Sequence, residues 1–429
     1  MNKKISLSIL CLFSFCNIFA QSEKLGITGE TNWMRNWTNF KPQDVLYRES
    51  THELYGEIKT NTILKKEFTY ILQGKVYVTN KAILSIEPGT VIKGDTKSGG
   101  TLIITQGAKI MAVGQDTNPI VFTSDAGPKE RQPGDWGGII ILGDAPINKL
   151  GNVAKLDFNL NYEHSSYGGT NPESNSGVMK YVRIEFAGKN YADNKQLNGL
   201  SLAGVGSKTV LENIQVSFSN DDSFNCYGGN VNMSNLISYK ATDDDFDFAQ
   251  GVQCNLKNSL ALRSPYSSNS NNSTCFEIDS YDKEDNSIDF KKEITTVNAT
   301  NITLINLEAN EQGLVKEAIT IKENASLTLK NAIINGFKCP IYFDSNFTLN
   351  IKNIENIRFS NIKMNNCSLG IEVENKSYEV QAALDHWFNY DKNNITFVSK
   401  PMNEIFTQPN LKEEVDFRAL VNFVKIASN

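Results

Sequence analysis

The chain has 429 residues, 48 acidic against 42 basic, for a net charge of −6, and 40% of its residues are hydrophobic. The acidic balance excludes a nucleic-acid binder, which needs a basic face to neutralise phosphates. After the first twenty residues no segment reaches the roughly 18 uninterrupted apolar residues of a membrane-spanning helix.

Lys3 and Lys4, the apolar run 5–19 and Ala20 before Gln21 read as an export signal over residues 1–20. Its removal takes the charge to −8 (−6 − 2) and leaves five cysteines, Cys226, Cys254, Cys275, Cys339 and Cys367. An odd, scattered set is no disulfide framework, and small inward-facing thiols are expected. Residues 21–69, with Trp33, Trp37 and Phe40 among polar neighbours, read as an N-terminal cap.

From about Tyr70 the chain breaks into short β-branched runs: Val76–Val78, Ile83–Ile86, Thr90–Ile92, Leu102–Ile104, Lys109–Met111 and Ile120–Phe122. Gly, Asn, Asp and Pro punctuate them, and no amphipathic helical pattern lies between. That excludes alternating strand–helix units and fits several short strands per coil. The segment from Asn213 through Asp221, Phe224 and Gly229 then recurs as Asn235, Asp243, Phe246 and Gly251, each offset by 22 (235 − 213, 243 − 221, 246 − 224, 251 − 229). So short a unit cannot bury its apolar side alone and must stack on its copies. The spacing predicts an all-β, parallel β-helix solenoid over 70–378, with the N-terminal cap at one end and short helices in a C-terminal cap, 379–429, at the other. Ala382–Phe388 and Lys412–Phe423 are the expected helices.

Strand alternation turns the column Phe224, Phe246, Phe276 inward, together with Cys226, Phe248, Ile278 two residues on. Asn225, Asp247 and Glu277 form the polar column between them. Ile319, Ile341 and Ile371 repeat with Ile321, Phe343 and Val373, with loops inserted at 263–274 and 279–296. Ile237, Tyr239, Leu260 and Leu262 fall where alternation points outward, which predicts an apolar stripe covered by a loop or a partner.

The repeat also stacks carboxylates. Asp221 over Asp243 and Asp222 over Asp244, with Asp245 and Asp247 beside them, place like charges about 5 Å apart, a repulsion of roughly 3 kcal/mol at an effective dielectric near 20. Turn N–H groups that cap each Asp would offset it. Calcium, which takes hard oxygen ligands, would also do so, with these six aspartates as its donors. If the chain is an enzyme, Asp222 and Asp244 are the acid/base pair. Between Asp221 and Ala261 no Arg occurs, and Lys240 and Lys257 are the only cations a lyase could use as base. Among loop aromatics, Trp136, Tyr227 and Tyr266 are the candidate sugar-binding residues.

The segments Glu87–Gly94, Leu102–Ala112, Pro119–Ser124, Asp135–Gly143, Leu197–Gly206, Ala261–Pro265 and Cys275–Asp279, taken with the two Asp-Asp rungs, carry a further signal. As a set they resemble a family of exported bacterial right-handed parallel β-helix proteins of the surface or outer envelope. The resemblance implies a fold and an address rather than an activity. Cys226-Tyr227-Gly228-Gly229 departs from it where relatives place paired aromatics, which weakens any aromatic groove at that rung. Three readings follow: an exported envelope protein binding a surface polysaccharide or an outer-membrane protein, even as accessory to an outer-membrane transporter; a calcium-dependent polysaccharide lyase or glycoside hydrolase; or a structural spacer or adhesin stalk.

Overall fold

The computed structural model describes residues 25–421 and 423, apart from 194, 267–272, 282–286, 309–313, 375 and 390–392. The expected export signal lies outside the described residues. No described helix is long and apolar enough to cross a membrane.

The chain is a right-handed parallel β-helix of three sheets wound around one core. In the first sheet the parallel register runs Leu102, Ile139, Leu200, Phe224, Phe246, Phe276, Ile319, Ile341, Ile371. The two sets of inward residues expected from the sequence are thus one column, joined where Phe276 pairs with Ile319. Phe224 and Phe246 stack with centroids 5.0 Å apart, and Phe276 meets Phe246 edge-on at 5.4 Å. All three are fully buried, which contributes about 1.5–3 kcal/mol for each. Cys226, Cys254, Cys275 and Cys339 are buried as free thiols.

The corner between the second and third sheets is built from left-handed residues. Asn213, Asn235, Asn258, Asn301, Asn331, Asn361 and Asn394 all have φ between 47° and 60°, and Tyr181 holds the same place one rung earlier at 53°. Asparagine tolerates this region better than other non-glycine residues. The amides also bond one another: Asn258 donates to Asn235 (2.7 Å), Asn331 to Asn301 (3.2 Å) and Asn361 to Asn331 (2.9 Å).

After this corner the strand phase places Ile237, Tyr239, Leu260 and Leu262 on the outer side of the third sheet. They are nevertheless buried, together with Ile305 and Ile333. Residues 25–47 cover them, running lengthwise down the flank. Gly26 N–H donates to Asn331 O, Ile27 N–H to Thr303 Oγ1, and Asn39 exchanges bonds of 2.8 Å each with Gln215. Tyr47 donates to Glu185, and Phe40 packs edge-on against Tyr239 at 5.2 Å. The chain's own N-terminal segment therefore covers the stripe, and Ile405, Phe406, Val415, Phe417 and Phe423 near the other end of the chain complete the same cluster.

The helix expected over Ala382–Phe388 spans Tyr378–Phe388, and it lays Leu384 and Phe388 on the core, with Phe388 5.6 Å from Phe359. Lys412–Phe423, expected as a second helix, instead contains the strand Asp416–Ala419, paired antiparallel with Phe406–Gln408. The reason is period-two burial. Val415 and Phe417 turn inward while Asp416 and Arg418 share the other face, bonded at 2.7 Å.

Candidate functional site

The turn leading into the first sheet carries the aspartates. Asp222 sits at the end of one rung, and its Oδ1 accepts the backbone N–H of Asp244 one rung on (3.0 Å). Asp244 Oδ1 in turn accepts from Thr274 N–H (2.6 Å). The ladder therefore passes each carboxylate a backbone donor from the following rung, the capping that the sequence allowed. Asn225 Nδ2 bridges Asp222 (2.6 Å) and Asp247 (2.7 Å). Asn198, its nitrogen turned to the carboxylates, donates to Asp221 (3.1 Å) and Asp222 (3.2 Å), and its oxygen accepts from the Tyr227 hydroxyl (3.1 Å).

These donors do not satisfy the cluster. The Oδ1 atoms of Asn225 and Asp247 are buried without a partner, and one ligand oxygen each from Asp221, Asp222 and Asp243 lies within 4.8 Å of the others. Burial, then the charge of Asp243, raises the Asp221 carboxyl to about 8. Burial likewise holds Asp222, Asp244 and Asp247 well above the usual carboxylate range. Among the described residues this trio is the one such group of possible metal ligands. Hard oxygens with unmet valence fit a calcium ion. Asp221, Asp222 and Asp243 would hold it, with Asn225 and Asp247 beside them.

Asp245 stands apart. It is fully buried against Arg263 (3.1 Å) and receives the Ser238 hydroxyl. Arg263 also donates to the carbonyls of Asp243 and Thr274 (2.7 and 2.8 Å), tying the turn to the next rung. Asp245 therefore belongs to an internal ion pair and has no free face for a metal. A second cation, Lys322, reaches Glu277 in the outer polar column (2.5 Å). Burial works against its charge, but Glu277, Asp244 and Asp247 outweigh that and hold Lys322 protonated. Neither cation lies between Asp221 and Ala261. Arg263 follows Ala261 by two residues, and Lys322 is brought in by stacking across two inserted loops.

Of the three aromatics, Trp136 is corrected outright. It is wholly buried, stacked on Phe122 at 6.4 Å, with its indole N–H on Glu185 O (2.7 Å). It is a core residue with no surface to offer a sugar. Tyr227 is at the site, joined to the carboxylates through Asn198 and packed edge-on to Phe158 at 6.0 Å. Tyr266 is exposed, just before residues 267–272.

A parallel solenoid with a stacked carboxylate turn is the setting in which the comparison with known proteins decides. A pectate-lyase-like β-helix domain model matches residues 56–401. The chain belongs to that family. No curated protein and no solved structure matches. Membership accounts for the three-sheet coil and ties the chain to a surface or polysaccharide-related role.

Proposed function

We propose that the chain is an exported cell-envelope protein that binds an anionic surface glycan through calcium at Asp221, Asp222 and Asp243, without cleaving it. The observation that carries this reading is the trio of carboxylate oxygens within 4.8 Å. Such a group holds its charge only when a cation is present. An anionic sugar would meet an acidic face only through that cation.

Cleavage is disfavoured by the state of the neighbouring groups. Elimination needs a base that can take a proton, and Lys322 is kept protonated by Glu277 while Arg263 is sealed inside with Asp245. Hydrolysis needs one carboxylic acid and one carboxylate flanking an open sugar site. Asp222 and Asp244 are both buried, and each is engaged by a backbone N–H.

The test is calorimetric titration of the full chain with calcium, followed by polygalacturonate retention with calcium or with EDTA. Wild type should bind both in sequence, and Asp222→Asn with Asp243→Asn should lose both. A melting temperature lowered by this double variant with retention intact would make the ladder purely structural. Release of unsaturated oligosaccharides, abolished by EDTA, would replace this reading with a lyase. Co-extraction of an outer-membrane protein in mild detergent, without glycan retention, would make that protein the partner.

A further inference from the structure

The last residues of strand Val210–Ser217 separate Asp221 from the asparagine corner, and at that corner a different opening lies on the flank. Its cavity of about 880 Å³ is walled by residues 30–36, by the Phe406–Gln408 and Asp416–Ala419 hairpin, and by Tyr181, Asn213 and Asn235. That volume is within the usual range for small-ligand sites. We infer that this cleft is a second binding site, taking a neutral oligosaccharide independently of calcium.

The amide ladder supplies the first reason. Farther along, Asn331 and Asn361 each donate to the preceding amide, and Thr28 of the covering segment bridges Asn258 and Asn301: its N–H donates to Asn258 Oδ1 (2.6 Å) and its Oγ1 accepts from Asn301 (3.5 Å). At the cleft this continuity stops. Among the described residues the Asn213 amide neither donates nor accepts, although only 3% of the residue is exposed. Asn235 accepts from Asn258 but its own NH₂ donates to nothing. Asn213 is buried and Asn235 half-buried in this wall, and beside them the buried Trp33 Nε1–H has no partner among the described residues. Buried polar groups are nearly always paired, and hydroxyl groups, which both donate and accept, would serve all three side chains.

The walls supply the second. Trp33 and Tyr181 flank the amides, and both are braced by the buried Trp37, at centroid distances of 6.3 and 5.9 Å. Rigid aromatic faces beside a few polar groups suit the apolar face of a sugar ring. Charge then selects among sugars. Arg418 is committed to Asp416 and to the carbonyls of Gly29 and Glu30, and Arg35 is paired with Glu414. The carboxylates of Glu30 and Asp116 remain in the lining, so an anionic ligand is repelled and an uncharged one is not.

The experiment is titration of the full chain in EDTA with cellohexaose, xylohexaose, mannohexaose and maltohexaose, read by calorimetry and tryptophan fluorescence. Asn235→Asp is the central variant. It tolerates the left-handed backbone and keeps the acceptor for Asn258, but loses the free donor and adds a negative charge. At least one probe should bind to wild type in EDTA, and about tenfold more weakly to Asn235→Asp and to Trp33→Ala, with the melting temperature of Asn235→Asp unchanged. Trp33→Phe serves if Trp33→Ala unfolds. Failure of all four uncharged probes, or binding indifferent to both positions, overturns the assignment. Retention of polygalacturonate in calcium with no uncharged probe bound in EDTA would leave the aspartate site standing and sink this one.

Discussion

Two polar ladders climb this solenoid, and they solve the stacking problem in opposite ways. At the asparagine corner each side chain carries a donor and an acceptor, so a repeat of one residue type is self-complementary: Asn361 gives to Asn331, which gives to Asn301. At the aspartate turn an ionised side chain can only accept. Repetition there accumulates unmet demand, visible in the raised Asp221 carboxyl and in the unpartnered oxygens of Asn225 and Asp247. Backbone amides and Asn198 meet part of it, and the remainder is what gives the turn affinity for a cation. The same fold thus makes a closed ladder from amides and an open one from carboxylates.

The contrast can be broken at several points. The largest effect is expected at Arg263, the one internal cation bonded into the aspartate turn. Arg263→Met should cost about 3–5 kcal/mol in denaturant unfolding, because Asp245 is left buried and unpaired. Next comes the linkage with protons and calcium. The folded Asp221 carboxyl titrates near 8 against an ordinary value of 3.8, so the folded chain keeps a proton that the unfolded chain releases. In EDTA the stability from this group is therefore complete below about pH 4 and lost as pH rises to 8. Calcium should raise the melting temperature more at pH 8 than at pH 5, worth about 2.7 kcal/mol at a hundredfold excess over its Kd. A thermal shift equal at both pH values would remove the ion from the turn. In the amide ladder, Asn331→Ala should cost about 2 kcal/mol, by forcing alanine into the left-handed region and cutting both ladder bonds. Asn331→Gly, which keeps the backbone and loses the bonds, should cost about half of that in the same unfolding assay.

The inward columns were legible because Phe224, Phe246 and Phe276 repeat with constant parity, and burial enforces parity. The aspartate ladder was legible for the same reason. The asparagine ladder was only half visible: Asn213 and Asn235 open the 22-residue repeat, but the later members follow at 23, 43, 30, 30 and 33 residues (258 − 235, 301 − 258, 331 − 301, 361 − 331, 394 − 361). Loops of unequal length hide register while leaving the stacking intact, and Lys322 was hidden in that way beside Glu277. Trp136 misled because its Gly- and Asp-rich surroundings read as a loop, whereas Gly94, where a Cβ would lie 2.4 Å from Trp136 Cβ, leaves the space for it to pack inward. The outward stripe at Ile237 and Leu260 pointed to a cover, but an irregular segment carries no period to identify itself as that cover.

That cover has a temporal consequence. Ile27 bonds Thr303 across 276 residues of sequence, and Gly26 bonds Asn331. During vectorial appearance of the chain, the rungs can add one upon another by neighbour contacts. Residues 25–47 have no such neighbour. Their seat is assembled from strands that arrive much later, so a segment made early must wait for most of the solenoid before it can dock.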